Sequence, residues 1–242
     1  MIENHKAAGH PHGAVAVIPA AGAGVRMGGK RAKQFLELGG KPILATTLAS
    51  FQAASSVESI ILVVPAGEID FCRREILVRY NLDKVEMVVA GGERRQDSVR
   101  RGIEATDGRF DLVLIHDGVR PLVQPELIEK VIGAGRKHGA AIAGLPSKDT
   151  VKEVDSAGLV VHTYDRRRVW LVQTPQVFCY ADIRAAHQKA VQEGWTGLTD
   201  DALLAERMGI AVAVVEGSED NIKITTPHDL ELAAFLLRRG TA

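Results

Sequence analysis

The stretch AVAVIPAAGAGVRMGGK, residues 14–30, opens with a run of small and β-branched apolar residues and continues into a glycine-rich turn. Similar apolar runs recur along the rest of the chain, separated by stretches with helical periodicity. This alternation is typical of βαβ units around a mostly parallel sheet. The runs are almost continuously apolar, as expected for strands that helices cover on both faces. The sequence therefore predicts an α/β fold with a mostly parallel, twisted sheet.

The boundaries of the elements follow from the same patterns. Strands are predicted over Ala14–Ile18, Ser59–Val64, Val85–Val89, Asp111–Ile115, Ala140–Leu145 and Ala211–Val215. Helices are predicted over Ile43–Ala54, Glu68–Arg79, Asp97–Ala105, Glu126–His138, Ala181–Glu193, Asp200–Met208 and His228–Leu237.

One stretch departs from the βα rhythm. Between residues 148 and 173, apolar and polar residues alternate on either side of Ser156-Ala157-Gly158, which predicts a β-hairpin arm. A two-stranded ribbon is only marginally stable alone in water. We therefore expect the arm to pack on its own domain or on a second subunit.

The composition indicates one globular domain, over residues 14–242. Of the 242 residues, 46% are hydrophobic and 25% are charged, which is ordinary for a soluble domain. Thirty basic residues balance thirty acidic ones, so no overall field draws the protein to nucleic acid or to an anionic membrane. No apolar run approaches the roughly 20 residues that span a bilayer.

The ends and the cysteines favour a cytoplasmic protein. Residues 1–13 are polar and lack the apolar core of a signal peptide, so we expect a disordered tail. Cys72 and Cys179 are the only cysteines and lie far apart, which argues against a disulfide framework and a structural zinc site.

The glycine-rich turn is suited to binding an anion. Small residues let a ligand approach the backbone, whose free N–H groups favour negative charge. Gly22 and Gly24 begin a dinucleotide-binding G-x-G-x-x-G, but Met27 replaces its last glycine and Pro65 stands where a ribose-binding acid is expected. An NAD-dependent oxidoreductase is therefore disfavoured.

A nucleotide-binding P-loop is not formed either. Residues 24–30 match G-x-x-x-x-G-K, yet Arg31 follows where Ser or Thr would hold magnesium. What remains is a phosphate-binding loop or, alternatively, a solvated basic loop. Its cations are Arg26, Lys30, Arg31 and Lys33.

Asp117 directly follows the predicted strand Asp111–Ile115 and His116. A carboxylate at the carboxyl end of such a strand can hold Mg²⁺ together with substrate phosphates. The alternatives are that Asp117 caps a helix or forms an ion pair.

Several segments taken together resemble one family. In order, they are PAAGAGVRMG with KQF, GGERRQDSV, HDGVRP, DTVKEV, DRRRVWLVQTPQVF, TDDA and EDNIKIT. Their order and spacing resemble the 2-C-methyl-D-erythritol 4-phosphate cytidylyltransferases of isoprenoid precursor synthesis, from about Ala14 to Leu237. The resemblance implies a Rossmann-like nucleotidyltransferase fold, CTP as donor, a polyol phosphate as acceptor, a need for Mg²⁺, and a homodimer with interlocking arms and shared active sites.

The resemblance also implies roles for individual residues. It places Ala20, Ala21, Gly22, Gly92, Glu93 and Ser98 around the nucleoside, although some family members carry Asp at the position of Glu93. The catalytic, phosphate-handling residues would be Arg26, Lys33 and Lys223, and Asp117 would bind the metal. The acceptor would be held by Arg120, Thr150, Arg166, Thr174 and Thr199.

Some of these residues have simpler interpretations. Arg166 could lie on a solvated face of the arm, Thr199 could cap a helix, and Lys223 could pair with Asp220.

The implied reaction needs no general base. A phosphate monoester has a second pKa of about 6 and is already a nucleophilic dianion at neutral pH. The sequence accordingly offers no convincing Ser-His-Asp or Cys-His arrangement. We expect direct in-line displacement without a covalent enzyme intermediate.

Two other functions remain open at this stage. A ribitol 5-phosphate cytidylyltransferase would share the glycine-rich turn, QTPQ and NIKIT, whereas Trp170 and the run of the arm favour methylerythritol phosphate. A regulatory module that binds CTP without turning it over is disfavoured because Lys33, Asp117 and Lys223 are all present.

Overall fold

A seven-stranded sheet forms the centre of the computed structural model, which describes residues 13–22 and 32–240. The strands are β1 (Ala14–Pro19), β2 (Glu37–Leu38), β3 (Lys41–Pro42), β4 (Val57–Val64), β5 (Val85–Ala90), β6 (Leu112–Ile115), β7 (Ala140–Pro146), β8 (Lys152–Val154), β9 (Val160–Thr163), β10 (Trp170–Cys179) and β11 (Ala213–Glu216). The order across the main sheet is β11-β7-β10-β6-β1-β4-β5. All its neighbouring strands run parallel except β10, which is antiparallel to both β6 and β7.

The helices are α1 (Ile43–Ala53), α2 (Ile69–Phe71, which continues as a π-helix over Cys72–Val78), α3 (Arg95–Ala105), α4 (Pro125–His138), α5 (Tyr180–Gln192), α6 (Ala202–Arg207) and α7 (Pro227–Gly240). Each helix predicted from the sequence is confirmed to within a few residues. Helix α4 illustrates the sequence signals that set these ends. A proline occupies its first turn, where no backbone N–H hydrogen bond is lost, and Gly139, with a φ of 82°, ends the helix.

The core lies on both faces of the sheet. Ala14, Ala16 and Ile18 of β1 belong to one buried cluster, which includes residues of α1 and α4. Val15 and Val17 belong to another, which includes residues of α3 and α5. Because both faces of β1 are covered, its sequence is apolar at every position rather than at alternate ones.

The sequence-based prediction missed β10 as a strand of the main sheet. The predicted arm, residues 148–173, included its first residues, but Trp170, Leu171 and Val172 pair with β7 and extend the main sheet. The next part of β10 has polar side chains, Gln173, Thr174 and Gln176, that are buried. A buried strand with polar residues lacks the apolar signal that identified the others, which is why it was missed.

The hairpin itself is confirmed. β8 and β9 pair antiparallel, and Gly158 occupies their turn with a φ of 81°. The Asp155 carboxylate accepts hydrogen bonds from the N–H groups of residues 157 and 159 at 2.9 Å. The hairpin is exposed, with Leu159 66% and Val161 57% exposed, so it does not pack on the part of its own domain that the structure describes.

Within residues 13–22 and 32–240, no helix combines the length and the apolar character needed to cross a membrane.

Candidate active site

Two adjoining cavities lie at the edge of the sheet where β1, β5 and β6 end. The first has a volume of about 270 Å³ and the second about 240 Å³. Arg95, Asp117 and Lys223 line both cavities and therefore stand at their junction. Ligands bound in the two cavities would meet at these three side chains.

The first cavity brings together the residues predicted to surround the nucleoside. Its lining includes Ala20, Ala21, Gly22, Gly92, Glu93 and Ser98, along with the predicted phosphate-handling residues Lys33 and Lys223. Ala20 to Gly22 follow β1, and Gly92 and Glu93 follow β5. Because the carboxyl ends of parallel strands share one edge of the sheet, segments about 70 residues apart in sequence become neighbours.

Hydrogen bonds hold the backbone of this cavity in place. The Ala20 N–H donates to the carbonyl of Val63 at 2.7 Å, and the buried Gln34 side chain donates to the Ala20 carbonyl at 2.7 Å. The Gly92 N–H donates to Ser98 Oγ at 3.1 Å. Ser98 therefore orders the loop beside the cavity as well as lining the cavity.

The Asp117 carboxylate is the centre of the charged cluster. Its Oδ1 accepts a hydrogen bond from Arg95 Nε at 3.0 Å, and its Oδ2 lies 2.8 Å from Lys223 Nζ and 3.7 Å from Arg120 Nε. Burial by itself would raise the pKa of Asp117, but the charge of Arg95, followed by that of Lys223, outweighs it and holds the pKa below the ordinary value. Asp117 is therefore ionised, and the ion-pair interpretation holds for it.

Sequence reasoning did not identify Arg95. Arg95 is the first residue of α3. Because the helix dipole disfavours a cation at a helix N-terminus, a carboxylate partner is needed nearby. Arg95 Nε binds Asp117, and Arg95 Nη1 binds Asp201 Oδ2 at 2.7 Å. Burial would lower the pKa of Arg95, but the charges of Asp201 and Asp117 raise it. The available signal was a pair of arginines at a helix start; the other, Arg94, pairs locally with Asp97.

Asp201 supports Arg95 from within the core. Its side chain is 1% exposed, and its Oδ1 lies 3.2 Å from Nε2 of the equally buried His187. Burial would raise the pKa of Asp201, but the charge of Arg95 and the hydrogen bond from His187 lower it. The Asp201 N–H also donates to Gln176 on β10 at 3.2 Å. Arg95 is thus fixed between a buried carboxylate and the Asp117 carboxylate in the cavity.

His116 and Thr174 form a second buried support. The Asp117 N–H donates to Thr174 Oγ1 at 3.1 Å, so the single hydroxyl hydrogen of Thr174 is available for His116 Nδ1, 3.0 Å away. His116 Nε2 then carries the hydrogen and donates to the Arg120 carbonyl at 3.2 Å. Burial lowers the pKa of His116 to about 3. The imidazole is therefore neutral, and both its nitrogens are engaged.

The second cavity contains part of the predicted acceptor site. Arg120, Thr174 and Thr199 line it. Arg120 is oriented by a 2.8 Å hydrogen bond to the Asn221 carbonyl. Thr150 and Arg166 line neither cavity; Arg166 lies on the exposed arm, where it donates to the Lys148 carbonyl at 2.8 Å.

Two of the simpler interpretations fail. Asp200, rather than Thr199, accepts a hydrogen bond from the Leu203 N–H at the start of α6, at 3.0 Å. Lys223 pairs with Asp117, whereas Asp220 pairs with Arg239 at 2.7 Å. Thr199 and Lys223 both face the cavities.

The cluster suits Mg²⁺ only in the presence of phosphate. Among the residues that the structure describes, no group of three or more His, Cys, Asp or Glu side chains could hold a metal ion. Of the described residues that line both cavities, Asp117 is the one with a carboxylate, and that carboxylate is ionised. Mg²⁺ commonly uses one or two protein carboxylates with phosphate and water oxygens, so this donor set fits a metal that arrives with a nucleotide.

Several sequence-based predictions lie outside the described residues. They concern Arg26, the other cations Lys30 and Arg31, most of the glycine-rich turn, and the tail as far as residue 12.

Comparisons with known proteins agree with the geometry. The family model described as 2-C-methyl-D-erythritol 4-phosphate cytidylyltransferase matches residues 14–239. A protein of that name from Syntrophus aciditrophicus is 48% identical over 225 residues, covering 93% of this chain and 96% of its own length. Another, from Syntrophotalea carbinolica, is 50% identical over 222 residues, covering 91% and 94%.

Solved structures agree as well. The 4-diphosphocytidyl-2C-methyl-D-erythritol synthase of Anaerococcus prevotii is 36% identical with a TM-score of 0.83, covering 93% of this chain and 96% of its own. The 2-C-methyl-D-erythritol 4-phosphate cytidylyltransferase of Thermus thermophilus is 35% identical with a TM-score of 0.73, covering 92% and 98%. The predicted fold class is therefore confirmed.

Proposed function

This chain belongs to the 2-C-methyl-D-erythritol 4-phosphate cytidylyltransferase family, and we propose that its two adjoining cavities hold the two substrates of that reaction. It is a cytidylyltransferase of the non-mevalonate route to isoprenoid precursors, transferring CMP from CTP to 2-C-methyl-D-erythritol 4-phosphate with release of pyrophosphate. The high identity to methylerythritol phosphate enzymes supports this acceptor over ribitol 5-phosphate. The observation that carries the site assignment is the junction of the cavities at Arg95, Asp117 and Lys223.

Cytidine occupies the first cavity and the acceptor phosphate the second. A phosphate oxygen of the acceptor attacks the α-phosphorus of CTP, and the bond from that phosphorus to the bridging oxygen of pyrophosphate breaks. One P–O bond forms as another is lost, so no covalent enzyme intermediate is required. The neutral, fully hydrogen-bonded His116 supports this mechanism, because it has no free nitrogen to act as a base.

The main task of the protein is to position the substrates and neutralise charge. Arg95, Arg120 and Lys223 outnumber the two carboxylates with which they pair, Asp117 and Asp201, so positive charge is in excess where the two phosphates meet. Lys33 lines the same nucleotide cavity, and the family resemblance adds Arg26. These cations stabilise the charge that develops on the α-phosphate and on the departing pyrophosphate.

Mg²⁺ is the proposed cofactor, with Asp117 as its protein ligand. When bound, the ion supplies further neutralisation of the triphosphate. Arg95 and Lys223 keep the Asp117 carboxylate ionised, and because both its oxygens are already paired with these cations, the ion would bind only together with the triphosphate, whose negative charge offsets theirs.

The site is completed by a second subunit of a cytoplasmic homodimer. Thr150 and Arg166 lie outside both cavities of their own chain. The hairpin that accompanies them exposes apolar side chains, among them Leu159, Val160 and Val161. An exposed apolar arm needs a covering surface. The arm of one subunit therefore delivers Thr150 and Arg166 to the acceptor cavity of its partner.

Pyrophosphate release tests the reaction. CTP with methylerythritol phosphate should be turned over far faster than CTP with ribitol 5-phosphate or ATP with either polyol. CTP binding without pyrophosphate release in the presence of Mg²⁺ would instead indicate a regulatory module.

Mixing two inactive variants tests the shared site. Lys33→Ala damages the site of its own subunit, whereas Arg166→Ala damages that of its partner. After subunit exchange, about half the chains form heterodimers, each with one intact site and one doubly damaged site, so roughly a quarter of the wild-type activity should return. If the mixture stays inactive although mass measurements show exchange, Arg166 serves its own subunit.

A further inference from the structure

The loop between β5 and α3 forms one wall of the nucleoside cavity and is held from two directions. On the N–H side, Gly91 donates to the Val64 carbonyl at 2.8 Å and Gly92 donates to Ser98 Oγ at 3.1 Å. On the carbonyl side, Arg101 Nη1 donates to the Gly91 oxygen at 2.6 Å and to the Ala90 oxygen at 3.3 Å. Arg101 is an exposed residue of α3 and does not line the cavity.

The loop also packs closely against the opposite wall. A Cβ atom on Gly91 would clash with the Ala21 side chain and lie 2.9 Å from Ser98 Oγ. Ala21 follows β1 and lines the nucleoside cavity. The loop and the segment that contains Ala21 are therefore in close contact, and a small shift of the loop would change the distance between these two walls of the cavity.

We propose that Arg101 is a positioning residue that holds the loop in place and thereby sets the width of the nucleoside cavity. Its guanidinium binds consecutive carbonyls just before Gly92 and Glu93, the residues of this loop that line the cavity. With the loop held in this position, the cavity favours a pyrimidine, which has one ring, over a purine, which has two. The proposal rests on the assignment of this cavity to cytidine.

Arg100 provides a matched control in the same helix. It pairs with Glu104 at 2.7 Å and does not line the cavity. Arg100→Met and Arg101→Met remove the same charge from the same helix, so any long-range effect on anionic CTP is shared. Met also keeps an unbranched stem and a good helix propensity.

The experiment compares steady-state kinetics of the wild type and both variants with CTP and with ATP. Losing the two charge-assisted bonds should raise the KM for CTP about three- to tenfold in Arg101→Met, with kcat within about twofold of the wild type. In Arg101→Met the ratio of kcat/KM for CTP to kcat/KM for ATP should fall by a similar factor. Its KM for methylerythritol phosphate and its melting temperature should equal those of Arg100→Met.

Two results would overturn the proposal. One is a KM for CTP in Arg101→Met equal to that of an active Arg100→Met; the other is an equal rise in the KM values of both substrates, which indicates general loosening. An error in the proposed function would give a different result. In that case the wild type and Arg100→Met would also fail to turn over CTP.

Discussion

Replacing Arg95 by Met should destabilise the protein in a way that depends on pH. The change leaves Asp201, which is 1% exposed, without its cationic partner. Removing one member of a buried ion pair typically costs about 3–5 kcal/mol, because the remaining charge is desolvated and uncompensated. For a chain of this size that loss lowers the melting temperature by about 10 °C.

The sign of the pH dependence follows from Asp201. In the wild type its pKa is lowered, so its contribution to stability is present above the unfolded-state pKa and is lost as the pH falls through the folded-state value. In Arg95→Met the buried Asp201 carboxyl keeps the hydrogen bond from His187 but loses its cationic partner, so burial should raise its pKa. The penalty of its charge is then largest near neutral pH and fades as acid protonates it. The difference in unfolding free energy between the two proteins should therefore shrink from pH 7.5 to about pH 5.

Urea unfolding at several pH values measures this difference, and a double variant identifies its source. Arg95→Met combined with Asp201→Asn removes both charges and should recover much of the lost stability. It should not recover activity, because Arg95 is absent from the junction of the cavities. A stability gap that does not change with pH, or a double variant no more stable than Arg95→Met, would refute the role assigned to this ion pair.

Three other predictions concern the site. Lys223→Met should lower kcat by about a hundredfold or more while changing the KM for CTP much less, as steady-state kinetics would show, because charge neutralisation acts mainly in the transition state. Thr174→Val leaves both its buried hydrogen-bond partners unsatisfied and should cost about 2–4 kcal/mol in urea unfolding, whereas Thr174→Ser should cost less than half as much. Gly92→Ala places a methyl group against Asp97 and should raise the KM for CTP severalfold; Gly133→Ala, which meets no neighbour within 4 Å, is the control and should not.

The sequence alone predicted most of the elements, and the residues that the family resemblance names for the nucleoside line the first cavity. The strands before Ala20 and Gly92 are marked by local apolar runs, and each cavity segment follows its strand directly. Once the sheet is taken to be parallel, the carboxyl ends of these strands must share an edge. Local patterns and this rule of topology therefore explain why these segments become neighbours, whereas their assignment to the nucleoside rests on the family resemblance.

The acceptor side was harder to predict. The resemblance named Arg120, Thr174 and Thr199, and all three line the second cavity. It could not show that the Thr174 hydroxyl is shared between the Asp117 amide and the His116 ring. That arrangement depends on β10 running antiparallel beside β6, and the polar residues of β10 concealed the strand.

Local sequence determined where the apolar strands, the helices and the hairpin turn form, because propensity, periodicity and turn chemistry act between near neighbours. Only the tertiary structure decided which charges meet. Arg95 contacts Asp117, 22 residues away, and Asp201, 106 residues away. Such pairs leave no periodic trace in the sequence; they arise because packing removes water from charged groups, and a buried charge is tolerated only when a partner of opposite sign is brought to it.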